Sequence, residues 1–521
     1  MDAVFTDPLA SSPGSMTRRE LLAGASISAL AACSKPRRSD STVTVLYKGQ
    51  PETVLGPDDW VAKFLVFMPL AAWNSRDGRS TLEGRLAESW EHSADFRTWT
   101  IRLRDGVRWH DGVPVTAHDM KFTLDLLQNP DTLQFAQGGY TVHVLDDLTY
   151  TVTYHRKDPN DDEPVSDWTV CWPKHVLERL DPKQINTWDF WTHPVGCGPY
   201  RHVHTVPKTM MEFEANADYF RGRPKIRRVI LKFGESNAVP ELLSRNVDAV
   251  VSPRRTDLFN ISGYSGFRAH QQIARNGYAA FWNVRHSLFQ DPAVRRALTY
   301  AINRRELIEI LKLPEGTQPV DFVRTDRQAR RGDYPETHPY DPQTADRILD
   351  RAGWRRQGKG LRSRAGRPFR FRALVQGALM ESTVPAVYIQ DQLRRIGVQM
   401  DIVTISDDSL ISSRIKSGEF EAVLANGAGW EQEAVLRGTG YDNRAFFDLF
   451  SRTRVVFDPE AKEELHDEMR RIFRGDLPMT YLFPFAGTTI ASTRIRGLEN
   501  SPYREDPTWC MDQLWLEQDE T

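Results

Sequence analysis

The chain has 521 residues, 40% of them hydrophobic, with 68 Lys and Arg against 70 Asp and Glu. That length exceeds one ordinary hydrophobic core, so at least two domains are expected, and the apolar content is ample to pack them. Balanced charge leaves no global field to attract nucleic acid, and no apolar run beyond the amino-terminal leader is long enough to cross a bilayer.

The amino terminus carries two address signals. Thr17-Arg18-Arg19-Glu20-Leu21-Leu22 resembles a twin-arginine export signal, followed over 21–32 by an apolar run too short to span a membrane. Leu30-Ala31-Ala32-Cys33 resembles a lipobox, whose cysteine is lipidated and becomes the first mature residue. Residues 1–15 have no signal-like character, so Met16 is a candidate start alongside Met1. A chain tethered at Cys33 is expected in the periplasm or on the outer cell surface, with 1–41 as signal and tether.

Strands and helices then alternate without a short repeat. Residues 42–47 (TVTVLY) are predicted as the opening strand from their alternation and β-branching. Within 86–125, Trp99, Ile101 and Leu103 alternate with Thr100, Arg102 and Arg104, which predicts a half-buried strand. Asp105-Gly106 and Asp111-Gly112 mark tight turns, and Thr116 is placed to cap a helix burying Met120, Phe122, Leu124, Leu126 and Leu127. Residues 150–154 predict another strand, 194–200 (PVGCGPY) a Gly/Pro-rich turn, 226–233 a strand, and 238–246 a helix delivering Val247-Asp248-Ala249-Val250. The same order recurs later: helix 386–396 and strand 398–405, then helix 410–416 followed by Glu419-Phe420-Glu421-Ala422-Val423-Leu424. Such alternation predicts an α/β protein whose lobes have central sheets. The basic clusters at 327–331, 355–356 and 362–367 are expected to be solvated loops. With Cys33 committed to lipid, Cys171, Cys197 and Cys510 allow at most one disulfide and fit no zinc or iron–sulfur spacing; buried free thiols are the simpler expectation.

Taken whole, 86–125 resembles the signature region of family 5 extracellular solute-binding proteins, the peptide and nickel receptors of ABC importers. PVGCGPY with Asn216-Ala217-Asp218-Tyr219-Phe220 resembles a second block of that family, Cys197 standing where threonine is usual. Residues 283–303 resemble the block opening the second lobe, 475–490 the strand returning to the first, and 495–516 the carboxyl-terminal end. The resemblance implies a two-lobed periplasmic-binding-protein-like fold of class II type, with an extra subdomain in the first lobe. Lobe I would comprise 42–270 plus 485–521 and lobe II 271–484, with crossings near 265–280 and 480–490 and a ligand cleft between the lobes. It further implies a monomeric receptor that captures a small peptide or peptide-like solute and passes it to an ABC permease. Neither catalysis, nor a cofactor, nor nucleic acid enters that function.

A peptide cleft must satisfy an extended backbone and offset two terminal charges, since an enclosed ion without a counter-ion costs several kcal/mol. In dipeptide and oligopeptide receptors the ligand ammonium meets an aspartate shortly after a Gly-Trp pair. Gly429-Trp430 is present here, with Glu431 next and Glu433 third after the tryptophan, a charge carried one methylene farther. The Asp-Pro-Asp-rich turn that usually follows is replaced by AVLRGTG at 434–440. Gln376 aligns where dipeptide receptors place an arginine for the ligand carboxylate; an amide hydrogen-bonds a carboxylate without neutralising it. A solvated glutamate pair, and core packing for Trp430, remain as alternatives. The rival readings are a nickel or metal-chelate receptor of the same fold and, behind it, an exported metalloenzyme. His202 and His204 lie two apart in a predicted strand and so share a face, compatible with metal ligation, although ordinary surface or satisfied histidines are the simpler expectation. Against an enzyme, the sequence has no HExxH, CxxC, P-loop or GxSxG pattern.

Overall fold

Alternating and β-branched segments from both ends and the middle of the chain join one ten-stranded sheet in the computed structural model. The structure describes residues 41–47, 62–76, 79–129, 139–155, 169–234, 237–314, 317–319, 321, 336–376, 380–426, 433–501 and 506–517. The strands are β1 (Thr42–Tyr47), β2 (Tyr200–Val206), β3 (Met210–Ala215), β4 (Arg228–Phe233), β5 (Ala249–Val251), β6 (Phe267–Trp282), β7 (Arg370–Gln376), β8 (Gln399–Ile405), β9 (Ala422–Asn426) and β10 (Met479–Ser492). Their order is β8-β7-β9-β6-β10-β5-β1-β4-β3-β2.

Two parallel groups are built into this sheet. β1 lies between parallel β4 and β5, and β7 between parallel β8 and β9. A strand with parallel neighbours is covered on both faces, so even Thr44 of β1 is enclosed at 1% exposure. β6 and β10 join the groups, pairing antiparallel from Phe267↔Ser492 to Phe281↔Met479 with a register slip between Ile273 and Gly277. Gly277 is required there: a Cβ would lie 2.0 Å from the Tyr481 hydroxyl and 2.4 Å from the Phe483 carbonyl oxygen.

The apolar clusters divide along the same line. Three draw on residues 43–267 and 490–516, and two on 278–486. The first half also contains an antiparallel four-stranded sheet of Ala87–His92, Thr98–Leu103, Tyr140–Val144 and Thr149–Tyr154. Trp99, Ile101 and Leu103 face its core together with Met120 and Leu124 of helix Ala117–Gln128, while Phe122 and Leu127 lie partly buried at the seam with the neighbouring cluster. At the helix start the Asp119 carboxylate accepts from both the backbone N–H (2.9 Å) and the hydroxyl (3.1 Å) of Thr116, and from the Lys174 N–H (2.9 Å). Cys171, Cys197 and Cys510 are buried free thiols.

Two sequence blocks that resemble the family lock together through His110. Its backbone N–H donates to the Gly196 carbonyl (2.7 Å), its Nδ1 accepts from the Gly196 N–H (3.3 Å), and its Nε2 donates to the Gly198 carbonyl (3.1 Å). The glycines allow this because helix Lys63–Val66 presses on them: Cβ atoms at 196 and 198 would lie 1.9 Å from the Val66 carbonyl oxygen and 2.6 Å from that of Leu65. A ring that accepts at Nδ1 and donates at Nε2 is neutral. Burial is the main cause holding its pKa down at about 4, and the Arg201 guanidinium adds to it.

Predicted elements mostly recur with shifted ends. Helix 238–246 is Ala238–Leu243, closed before Arg245 turns to φ +57°. Helix 386–396 starts earlier, as Met380–Arg395, because Pro385 is accommodated inside it. The clusters at 355–356 and 362–367 are strands of a small sheet, Arg355–Arg356, Arg362–Arg364 and Arg367–Pro368, and not loops. Cys33, Trp430, Glu431 and the 327–331 cluster lie outside the described residues.

His110 makes folding depend on pH with a definite sign. Its folded pKa is depressed, so its stabilisation is full above about 6.5 and is lost as pH falls toward 4, where the unfolded chain takes up the proton first. The urea midpoint should therefore fall more steeply over that window in the parent than in His110→Gln. Parallel pH profiles would remove His110 as the source.

Candidate ligand cleft

Strand direction locates the cleft. β5 runs against β10 with Val251 opposite Thr489, and β9 runs against β6 with Asn426 opposite Tyr278. The carboxyl ends of both parallel groups therefore point toward the register slip in the crossings, one group from each side. Ligands in open α/β sheets sit outside the carboxyl ends of strands, and here two such edges face each other.

The described rim of this cleft is polar but largely uncharged. Gln271 Nε2 donates to the Thr488 hydroxyl (3.3 Å), and the Ser252 N–H, on a residue at φ +50°, donates to the Thr488 carbonyl (2.9 Å). Tyr47 ends β1 and donates its hydroxyl to Asp506 (2.7 Å). Asp506 also accepts from the Thr508 N–H (2.9 Å) and hydroxyl (2.6 Å), yet burial pushes its carboxyl up to about 6. Beside Thr508, the Trp509 ring meets Phe64 edge-on at 5.4 Å in a recess shared with Arg85, which is paired with Asp512 at 2.6 Å.

Of the residues singled out in the sequence, Gln376 is half-buried at the end of β7, level with the end of β9 through the parallel register Val375↔Leu424. Glu433 begins helix Glu433–Gly438 and is engaged: it accepts from Arg437 Nε (2.8 Å) and lies 3.5 Å from Arg454, with its side chain 31% exposed. The two arginines in turn lie over Phe447 and Phe450. Trp430 and Glu431 belong to the connection between Asn426 and Glu433, outside the described residues.

The histidine pair is corrected. The register slips between His202 and His204, which stand opposite Phe213 and Glu212. A bulge breaks the two-residue alternation, so the two rings do not form a joint face. His202 is half-buried, with its Nε2 2.7 Å from the Thr205 hydroxyl and its ring edge-on to Phe213 and His193, whereas His204 is exposed. Burial first, then His193 and His204, lower the His202 pKa to about 4. Among the described residues no three His, Cys, Asp or Glu side chains are grouped to hold a metal.

Two contacts that the sequence did not signal bridge the halves away from the crossings. The Arg97 guanidinium, at the turn between Ala87–His92 and Thr98–Leu103, lies 5.0 Å over the Phe457 ring of the second half. The Lys312 ammonium of the second half lies 3.9 Å over Phe259 of helix Arg255–Ile261 in the first. Phe457 lies between two helices and is only 6% exposed. Residues paired across 360 positions leave no local pattern to read.

Such a cation–π contact contributes about 0.5 to 1 kcal/mol. Arg97→Ala should thus shift the closed-to-open ratio by roughly two- to five-fold toward open, with little change in melting temperature. Spin labels at exposed Leu145 and Val387 would report it as a broader distance distribution. An unchanged distribution would mean that Arg97 does not help hold the halves together.

Comparison with known proteins follows this architecture. Residues 81–437 match the model for bacterial extracellular solute-binding proteins, family 5 middle. The chain is 23% identical over 475 residues to oligopeptide-binding protein AppA of Bacillus subtilis, covering 84% of each. It is 26% identical over 444 residues to the nickel-binding periplasmic protein of Escherichia coli, covering 80% of this chain and 81% of that one. The crystal structure of a periplasmic oligopeptide-binding protein of Thermotoga maritima superposes with a TM-score of 0.77 at 19% identity, covering 92% of this chain and all of that one.

Proposed function

Since the chain belongs to the family 5 bacterial extracellular solute-binding proteins, we propose that it is the substrate-binding receptor of an ABC importer, capturing a peptide-like solute between two lobes and releasing it unchanged to the permease. The facing carboxyl edges of the two parallel strand groups carry this reading. Relatives named for oligopeptides support the solute class. Lobe I is assigned to 42–270 plus 485–521 and lobe II to 271–484, in keeping with where the apolar clusters divide. Twin-arginine export and lipidation at Cys33 would hold a monomeric receptor at the membrane, in the periplasm or on the outer surface.

Trp430, Glu431, Glu433 and Gln376 are assigned to solute recognition because Gln376 ends β7 and the other three follow β9 in sequence. One observation favours the second reading, a chelate or other solute without a free amine. The Glu433 charge is already met by Arg437 and Arg454, and Gln376 brings no cation for a ligand carboxylate.

Native mass spectrometry of the purified protein should find one solute per chain, recovered chemically intact. Turnover of that solute would favour the exported-enzyme reading. Scattering should show compaction when the recovered solute is added to stripped protein, since neither lobe alone supplies all the contacts. If Glu433 is the amine anchor, Glu433→Gln costs about 2 to 5 kcal/mol, thirty-fold or more in affinity. Tolerance within about three-fold, as for a half-exposed ion pair, would assign Glu433 to its two arginines and the ligand to the amine-free class.

A further inference from the structure

The three-stranded sheet of the second half gathers more positive charge than the fold consumes. Residues 342–401 contain twelve Lys and Arg against five Asp and Glu, in a chain whose formal net charge is −2. Several of these arginines serve the fold. Arg356 donates to the Arg395 carbonyl (2.8 Å), which ends helix Met380–Arg395. Buried Arg362 meets Asp346 and Asp350 and the carbonyls of Trp354 (2.6 Å) and Ile396 (2.8 Å).

Arg370, Arg372, Arg394 and Arg395 pair with carboxylates and Arg347 donates to the Thr344 hydroxyl (2.6 Å), which leaves five cations. Arg351, Arg355, Lys359, Arg364 and Arg367 are all exposed. None of them has a carboxylate partner among the described residues. The register sets Arg364 directly opposite Arg367, a like-charge pair that costs the hairpin stability, across a turn whose Ala365 takes φ +51°. The five spread over a helix end, a turn and both sides of a small sheet, since the register sets Arg355 opposite Ser363 and Arg364 opposite Arg367, with exposed Leu361 beside them; this suits a diffuse anionic surface better than a single bound anion. The aromatics nearby, Trp354 beneath Arg364 and Phe369 packed against it, are both buried and so offer no ring on which a nucleic-acid base would stack.

We infer that this basic sheet, with its flanking turn and helix end, seats the second half on anionic phospholipid headgroups, an inference that rests on the extracytoplasmic receptor reading for its setting. Basic side chains near an anionic bilayer each add attraction that fades within a Debye length. The full chain carrying Cys33→Ser, so that no acyl chain contributes, should co-sediment with phosphatidylglycerol-containing vesicles at low salt and not with phosphatidylcholine vesicles. Binding should be lost at high salt, and should fall by roughly ten-fold or more in Arg355→Glu/Lys359→Glu/Arg367→Glu. The triple variant should keep its melting temperature and its solute capture, so failure of the membrane contact is separable from failure of the receptor reading. Equal sedimentation with both vesicle types, unchanged binding by the triple variant, or binding confined to detergent-purified permease would overturn the inference.

Discussion

The antiparallel pairing of β6 with β10 is the constraint on which the remaining architecture depends. Each strand starts in one half and ends in the other, so a single ladder, interrupted at its register slips, links the two cores. Neighbours on either side are then fixed in direction: β5 must run against β10 and β9 against β6, which turns the carboxyl edges of two parallel groups toward one another. A cleft is the consequence of strand pairing, before any side chain lines it. The register slip at Gly277 lies between the two edges and is where the ladder is already interrupted.

Within the first half, rigidity comes from polar groups that are buried and satisfied. His110 spans two glycine carbonyls and one glycine N–H, and Asp119 joins the start of a helix to the distant Lys174 backbone. Asp506 does similar work for Tyr47 and Thr508 at the end of β1. Low dielectric makes each such group costly if its partner is lost, and that cost keeps the aromatic recess and the strand ends in fixed relation. The second half uses arginines to the same end, spending guanidinium donors on the carbonyls that helix termini leave unpaired.

Recognition was only partly legible. Gln376 aligns with a carboxylate-binding position by family resemblance alone, and β7, the strand that it ends, is not among the elements read from sequence pattern. What Glu433 touches is not wholly local: Arg437 lies one helical turn away, but Arg454 comes from another helix and is brought in by tertiary packing. The bridges Arg97 to Phe457 and Lys312 to Phe259 are a stronger case. Each joins an ordinary surface cation to an ordinary aromatic from the other half, and neither partner departs from what its own segment predicts.

The sequence by itself determined the α/β class, the opening strand at Thr42–Tyr47, the alternation of Trp99, Ile101 and Leu103, the helix after Thr116 and the order of the family blocks, because period, β-branching, turn chemistry and capping act over a few residues. It also placed glycines at 196 and 198 without saying what pressed on them; the approach of Val66 supplies that reason. Tertiary structure alone decided that His202 and His204 are split by a bulge, that a helix runs through Pro385, and that the arginine clusters form a sheet. Those outcomes depend on which distant strand or helix end is alongside. A backbone group is satisfied by whatever donor the completed fold brings within reach, and short-range pattern carries no record of that partner.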